Sequence, residues 1–168
     1  MQNARDTFYV MLRNRIATGN AARTMVVRGV LRPSVLVVEN ELVAVAEDGL
    51  SNLDAFCLSW KDLSVDLTGA LPLVKAVCEV SYGTAGTAAA AGMDRGRSLA
   101  TMDAELSNAL RIEPRTVVKT NYAATPATPM GTNVFWGELV FAGERVEQER
   151  LERVATVVVY SYQEAGEV

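Results

Sequence analysis

Apolar residues recur at helical spacing near the start of the chain. Residues 4–17 are predicted to form an amphipathic helix, because its apolar positions fall on one stripe and its charged positions lie off that stripe. The stripe consists of Phe8, Met11, Leu12 and Ile16. Asn3 is the expected N-cap and Gly19 the expected stop.

A second helical stripe predicts a helix over residues 94–110. Its apolar positions are Leu99, Met102, Leu106 and Ala109 or Leu110. Asp94 suits the start of this helix, because a carboxylate is favourable near the positive end of the helix dipole. Pro114 is expected to stop the segment.

The segment between the first helix and residue 46 has the β-branched composition of strands. Residues 24–31 are predicted to be one strand that ends at Arg32-Pro33. The apolar runs 35–38 and 42–46 are consistent with a hairpin with a three-residue turn and with one bent strand, and the sequence does not distinguish them.

Alternation of polar and apolar residues predicts two strands in the middle of the chain. One begins at Ala55 and is half solvated, and residues 69–72 end it. The next has an apolar face made of Val74, Ala76, Cys78, Val80 and Tyr82. Two such strands joined by a tight turn indicate an antiparallel sheet with one face in water.

Three more strands are predicted in the second half, over residues 116–122, 134–142 and 150–162. Both faces of the last strand are apolar, which is typical of a strand buried on both sides. Helices can cover one side of it, and the other side needs a second sheet or another subunit. The fold class expected is therefore α+β, an antiparallel sheet flanked by two main helices and ending in long strands.

Three segments are predicted to lie outside this framework. Residues 83–92 (GTAGTAAAAG) and 120–131 are uncharged and are expected to be flexible, and 120–131 contains Pro126 and Pro129. Residues 144–152 are heavily charged and are expected to form a solvated hairpin loop. We expect the first two to be mobile in an isolated subunit and ordered in an assembly.

Composition narrows the function classes. The 168 residues are 49% hydrophobic and 21% charged, which is typical of one globular domain over residues 1–168. There is no histidine and the net charge is −4, so the usual nucleophile–histidine pairs are excluded and clustered positive charge for DNA is lacking. The composition favours a structural or binding role, with no enzyme activity, no cofactor and no metal.

The cysteines and the apolar runs bear on the compartment. Cys57 and Cys78 fit neither a redox pair nor a zinc site, and both lie in alternating apolar runs. We expect two buried thiols. The sequence predicts no secretory signal and no segment long enough to span a bilayer, so a soluble protein made in the cytoplasm is expected.

The glycine-rich stretch lacks the residues of a phosphate loop. A P-loop needs a lysine followed by a hydroxyl residue after its second glycine, and no lysine follows here. Arg95 and Arg97 lie where this stretch meets the second helix. They are consistent with an anion or partner site at the helix start, but ion pairs on a solvated first turn are the favoured interpretation.

Five segments together resemble the tail terminator, or tail completion, proteins of tailed bacteriophages and related tail-like machines. They are RDTFY (5–9), RPSVLVVE (32–39), AVCEVSYG (76–83), GMDRGRSL (92–99) and RVATVVVY (153–160). The resemblance spans most of the chain and concerns the order of helices and strands; it includes no catalytic motif. It implies an α/β subunit with an antiparallel sheet flanked by helices.

The resemblance also implies a role and partners. Such a subunit would form a hexameric ring in the virion neck that caps the tail tube and joins it to the head connector, after assembly in the host cytoplasm. Tail tube protein, neck or connector proteins and a sheath protein would be its partners, and DNA would pass through as cargo.

Candidate site residues follow from this interpretation. The expected interface residues are Arg95, Arg97, Tyr122, Pro126 and Pro129. The expected acidic wall of the channel is Glu144, Glu147, Glu149 and Glu152, because like charge keeps passing DNA from adhering. Another neck, tail or baseplate subunit and a small-molecule-binding domain that uses the 83–97 segment are the alternatives.

Overall fold

The computed structural model describes residues 1–41, 53–147 and 149–167. The long helices are α1 (Gln2–Gly19) and α3 (Arg95–Arg111), and a short helix, α2, spans Val38–Glu41. The strands are β1 (Thr24–Val27), β2 (Val30–Pro33), β3 (Val35–Val37), β4 (Phe56–Asp66), β5 (Leu73–Thr84), β6 (Thr116–Asn121), β7 (Thr128–Phe141), β8 (Arg145–Glu147) and β9 (Arg150–Tyr162). No helix within the described ranges combines the length and the apolarity that crossing a bilayer requires.

Seven strands form one sheet. Six of them follow the order β3-β4-β5-β9-β7-β6, and the seventh, β8, pairs with β9 on the side of β9 that also carries β7. Every pairing is antiparallel except that of β3 with β4. The predicted α+β class is confirmed, with two long helices and long C-terminal strands.

The helical stripes form the core as predicted. The stripe residues of α1 and α3 are all buried, together with the inward residues of β5 and β9. Phe8 contacts Trp60 and Trp136 edge to face, with ring centroids 5.9 and 5.8 Å apart. The indole N–H of Trp136 donates to the carbonyl of Leu110 at 2.9 Å, which fixes the end of α3 against β7.

The ends of α1 differ from the prediction. Asn3 is not the N-cap, because the amides of Ala4 and Arg5 donate to the carbonyl of Met1 and the helix already begins at Gln2. Gly19 is the last helical residue. Asn20 caps the helix, because its backbone N–H donates a hydrogen bond to the Ile16 carbonyl.

The predicted single strand 24–31 is wrong, because residues 24–33 form a hairpin, β1–β2. Val27 pairs with Val30 across the two-residue turn Arg28-Gly29. Both turn residues have positive φ, 51° and 80°, which suits the twist of a two-residue hairpin. We call this hairpin the arm.

The run 35–38 is also connected differently. Val35–Val37 pairs in parallel with the start of β4, and residues 39–41 lie in α2 and do not form a hairpin turn. The run 42–46 lies outside the described residues.

The half-solvated pattern predicted for β4 is wrong in detail. Its first three residues are buried, and from Lys61 onward every residue is exposed. Asp62 has φ 39° and interrupts the register between Lys61 and Leu63, which is the position of a β-bulge. The end of β4 therefore extends beyond the helices.

The prediction that both faces of β9 are buried holds for one face only. Ala155, Val157, Val159 and Ser161 are buried, whereas the alternate residues are partly exposed. Both long helices pack on the first face, and no element among the described residues covers the second.

The C-terminal segment is held by an ion cluster around Lys119, which is fully buried on β6. Its ammonium donates to the Tyr162 carbonyl at 2.6 Å and to Glu167 Oε2 at 2.7 Å. Glu164 lies 3.5 Å away and the amino group of Met1 lies 3.7 Å from Glu167. The cluster joins β6, the start of α1 and the residues after β9.

Lys119→Met is expected to lower the free energy of unfolding by about 3 kcal/mol, because it removes the ammonium that neutralises the buried Glu167 carboxylate and donates to the Tyr162 carbonyl. Lys75→Met is the matched control, since Lys75 is exposed on β5, and it should change stability by less than about 0.5 kcal/mol. Urea denaturation at pH 7 measures both. Equal losses in the two variants would contradict a role for the ion cluster.

The same cluster predicts a dependence on pH. Burial raises the pKa of Glu167. The hydrogen bond from Lys119 and the nearby positive charges lower this pKa by more than burial raises it, so the pKa lies below the usual range of a glutamate. Its stabilisation is therefore complete above the ordinary glutamate pKa of about 4.3 and is lost as the pH falls through the lowered value. Between pH 7 and pH 3, Lys119→Met should lose less stability than the unchanged chain in urea titrations.

Candidate assembly surface

One face of the large sheet lies open to solvent, and we call it the open face. Its centre is formed by Val77 on β5 and Val154 and Val158 on β9, which are only partly buried. Lys75, Glu79 and Ser81 lie on the same face of β5, before and after Val77. A sheet with one helical layer leaves such a face for water or for a partner.

Three aromatic rings lie together at one end of the open face. Phe135 on β7 stacks with Tyr160 at a centroid distance of 6.4 Å and contacts Tyr162 edge to face at 5.9 Å. Tyr and Phe in such clusters offer a large contact area at a small cost in side-chain entropy, which is typical of interface surfaces.

Exposed aliphatic side chains mark the hairpins as well. On the arm, Val26, Val30 and Leu31 are 65%, 62% and 67% exposed. The end of the β4–β5 hairpin exposes Leu63, Val65, Leu67 and Leu71. Along β7 and β8, Val140 and Val146 are exposed.

Arg95 is occupied within the chain. Its Nε donates to the Ala85 carbonyl at 2.9 Å, and its guanidinium lies 3.9 Å from Glu149. Arg97, two residues later, is exposed. The two arginines therefore do not converge on one point, and the structure favours the ion-pair interpretation of this helix start.

The segment 83–92 is more ordered than predicted in its first residues. Gly83 and Thr84 belong to β5 and are buried. Asp94 accepts from the Thr87 amide at 3.0 Å and from its hydroxyl at 2.9 Å, and these bonds lower the pKa of Asp94. Gly92 has φ +73°, and a Cβ there would lie 2.3 Å from the Arg95 guanidinium carbon. The remaining residues thus fold back onto the start of α3.

The segment 120–131, predicted as a flexible loop, is the end of the β6–β7 hairpin, and its first and last residues belong to the two strands. Thr120 and Asn121 pair with Pro129 and Thr128. Tyr122, Pro126 and Pro129, the three candidate interface residues of this segment, are all exposed. They lie together at the hairpin end, on a different element from Arg95 and Arg97.

The four candidate acidic residues lie on one hairpin, β8–β9, and the structure pairs most of them with arginines. Glu144 accepts from Arg153 at 2.7 Å, and Glu152 lies 3.5 Å from Arg150. Glu149 lies 3.9 Å from Arg95, and Glu147 is exposed. The expected solvated hairpin loop is thus a hairpin, and it includes a short strand, β8, that was not predicted.

The groove between α1 and α3 has a volume of about 350 Å³ and is a candidate ligand site. Its two charged groups are already engaged. Arg15 donates to the Ala109 carbonyl at 2.8 Å, and Glu105 accepts from Arg23 and from Asn20. Both charged side chains of this groove are therefore held by contacts within the chain.

The two cysteines and Tyr82 are potentially reactive side chains that are buried in the described part of the chain. Both cysteines are buried and free, as predicted, and burial raises the pKa of Cys78. Burial and a 2.5 Å hydrogen bond to Asp103 raise the pKa of Tyr82. No group of three or more metal-binding side chains is found there.

Comparison with known proteins adds no assignment: no protein-family model matches the chain, and a search of curated proteins finds no match.

Sequence reasoning missed the arm and the buried Lys119. The dipeptide Arg28-Gly29 lies between Val26-Val27 and Val30-Leu31. Two residues that include a glycine, between two short apolar runs, are a turn signal that predicts the arm. For Lys119 the chain offers only a weak signal, since a lysine within a valine-rich strand is normally on the wet face.

Arg95→Ala is expected to speed amide exchange at residues 86–92 several-fold, because it removes the hydrogen bond that holds Ala85 to α3. Arg97→Ala is the matched control and should leave exchange unchanged. Hydrogen–deuterium exchange with mass spectrometry measures both. Unchanged exchange in Arg95→Ala would show that the segment is held by other contacts.

Proposed function

We propose that the chain is a structural subunit that assembles with copies of itself, and that it is a tail terminator subunit of a phage tail or a related tail-like machine. The observation that carries the first part is the exposure of large aliphatic side chains on the arm, on the β4–β5 hairpin and along β7 and β8. Exposed apolar surface on several hairpins favours association, because contact with another molecule removes it from water.

The position of these side chains supports assembly through β structure. They lie on hairpins and edge strands, where unpaired backbone groups add hydrogen bonds to the apolar contact. On the helical side, by comparison, Arg15 and Glu105 are engaged in hydrogen bonds within the chain. The proposal therefore assigns the contacts with other subunits to the sheet.

The resemblance to tail terminators supports the second part of the proposal. It implies a hexameric ring, and a ring uses one surface on each side of every subunit. The aromatic end of the open face and the exposed end of the β6–β7 hairpin are then available for the tail tube and for neck proteins. Another neck or baseplate subunit would share the first part of the proposal and differ in its partners.

The purified chain is expected to form a closed ring, because one repeated contact between copies generates a ring when its rotation closes. About six copies are expected from the resemblance to tail terminators. Light scattering after size exclusion gives the mass, and negative-stain electron microscopy gives the shape. A monomer at all concentrations up to the millimolar range would overturn the proposal that the chain assembles.

A second measurement separates the terminator from other assembling subunits. When co-expressed with the tail tube protein of the same genome, the ring should be found at the ends of tubes of limited length. Rings that leave the tube ends bare would overturn the terminator assignment and leave an assembling subunit of another kind.

A further inference from the structure

The large sheet has an unpaired edge at one side. β6 covers β7 only from Thr128 to Phe135, so among the described residues the segment 137–141 has no strand beside it opposite β9. β8 continues this edge, because it pairs with β9 alone and β5 occupies the other side of β9. We call residues 137–147 the acceptor edge.

The arm has the opposite character. Its two strands pair only with each other among the described residues, and Val26, Val30 and Leu31 are each about two-thirds exposed. The Ser34 amide donates to the Arg23 carbonyl at 3.0 Å, which closes the base of the arm directly before β3. The arm thus extends from the side of the sheet that carries β3.

Arm and acceptor edge lie on opposite sides of the same sheet. From β3 to β7 there are four strand-to-strand steps, which amount to about 19 Å at the usual spacing. Two different surfaces on opposite sides of one subunit are the arrangement that a head-to-tail contact needs.

The two surfaces match in length and charge. The arm strands have four residues each, and the open part of β7, residues 137–141, is about as long. Residues 21–34 contain three arginines and no carboxylate, whereas residues 137–147 contain three glutamates and one arginine. Exposed Arg28 at the arm tip and exposed Glu138 and Glu147 carry the complementary charges.

A groove of about 130 Å³ beside the acceptor edge offers room for an arm side chain. It lies between the end of α3 and β7 and is lined by Leu110, Leu139 and Phe141, with Arg111, Arg115 and Glu138 at its polar side. Arg115 is already paired with Glu113 at 2.9 Å. Leu110, Leu139 and Phe141 form the apolar part of a lining that is otherwise polar, and they are the groups available to Leu31 or Val26.

We propose that the arm of one copy adds to the acceptor edge of the next copy as an extra β-ribbon, and that this contact closes the ring. The proposal rests on the proposed assembly and specifies its contact. Main-chain hydrogen bonds supply affinity in such strand additions, and the alternate side chains supply specificity.

The test uses two double variants at exposed positions. The arm variant is Arg28→Asp with Leu31→Asp, and the edge variant is Val140→Asp with Val146→Asp. Met93→Asp is the matched control, because Met93 is 88% exposed and lies on neither surface. Circular dichroism and thermal unfolding establish that each variant is folded.

Each double variant alone should be monomeric by light scattering, and the control should form the ring. An equimolar mixture of the arm and edge variants should give a heterodimer, because only the intact arm of one and the intact edge of the other can meet. In the ring, amides of residues 137–141 should exchange at least ten-fold more slowly than in the edge variant.

The opposing outcomes separate this contact from assembly itself. If the unchanged chain forms a ring and either double variant still does so, the arm contact is overturned and the proposed assembly stands. A mixture that remains monomeric also overturns it, since a head-to-tail contact requires the heterodimer. An unchanged chain that is monomeric overturns both proposals.

Discussion

One-sided burial is the constraint on which the rest of the structure depends. Both long helices pack on the same face of the large sheet, and the core they form with it takes in the inward residues of β5, β7 and β9. The opposite face and part of the sheet's edge then have only water as a neighbour within the described residues. Burial of apolar surface is the dominant favourable term in folding and association, so the same sheet that completes the core also provides the surfaces for assembly.

The ion cluster at Lys119 serves the opposite purpose, because it closes the subunit on itself. A fully buried ammonium is tolerated only when its charge and its hydrogen bonds are satisfied, and here Tyr162 and Glu167 satisfy them. This fixes the residues after β9 against α1 and β6, away from the arm. The subunit is thus rigid near its termini, and its exposed apolar groups lie on hairpins elsewhere.

Strong periodicity explains which elements were predictable. The stripe of Leu99, Met102 and Leu106 predicts α3 to within one residue at each end, and the limits of β9 are confirmed at residues 150 and 162. The arm and the parallel pairing of β3 were not predicted, because a two-residue turn and a long-range parallel pair leave only weak local signals. In the structure, the candidate residues at 95–97, 122–129 and 144–152 lie on three separate elements. Sequence reasoning could not predict their relative positions, because distance along the chain does not give distance in the fold.

The burial of Lys119 leaves the chain with few reactive side-chain amines. Of the three lysines, Lys61 and Lys75 are exposed, and both lie on the β4–β5 hairpin. Amine-directed labels and cross-linkers will therefore attach along one hairpin, apart from the chain terminus, so a fluorophore introduced in this way reports on a known location without any engineered cysteine.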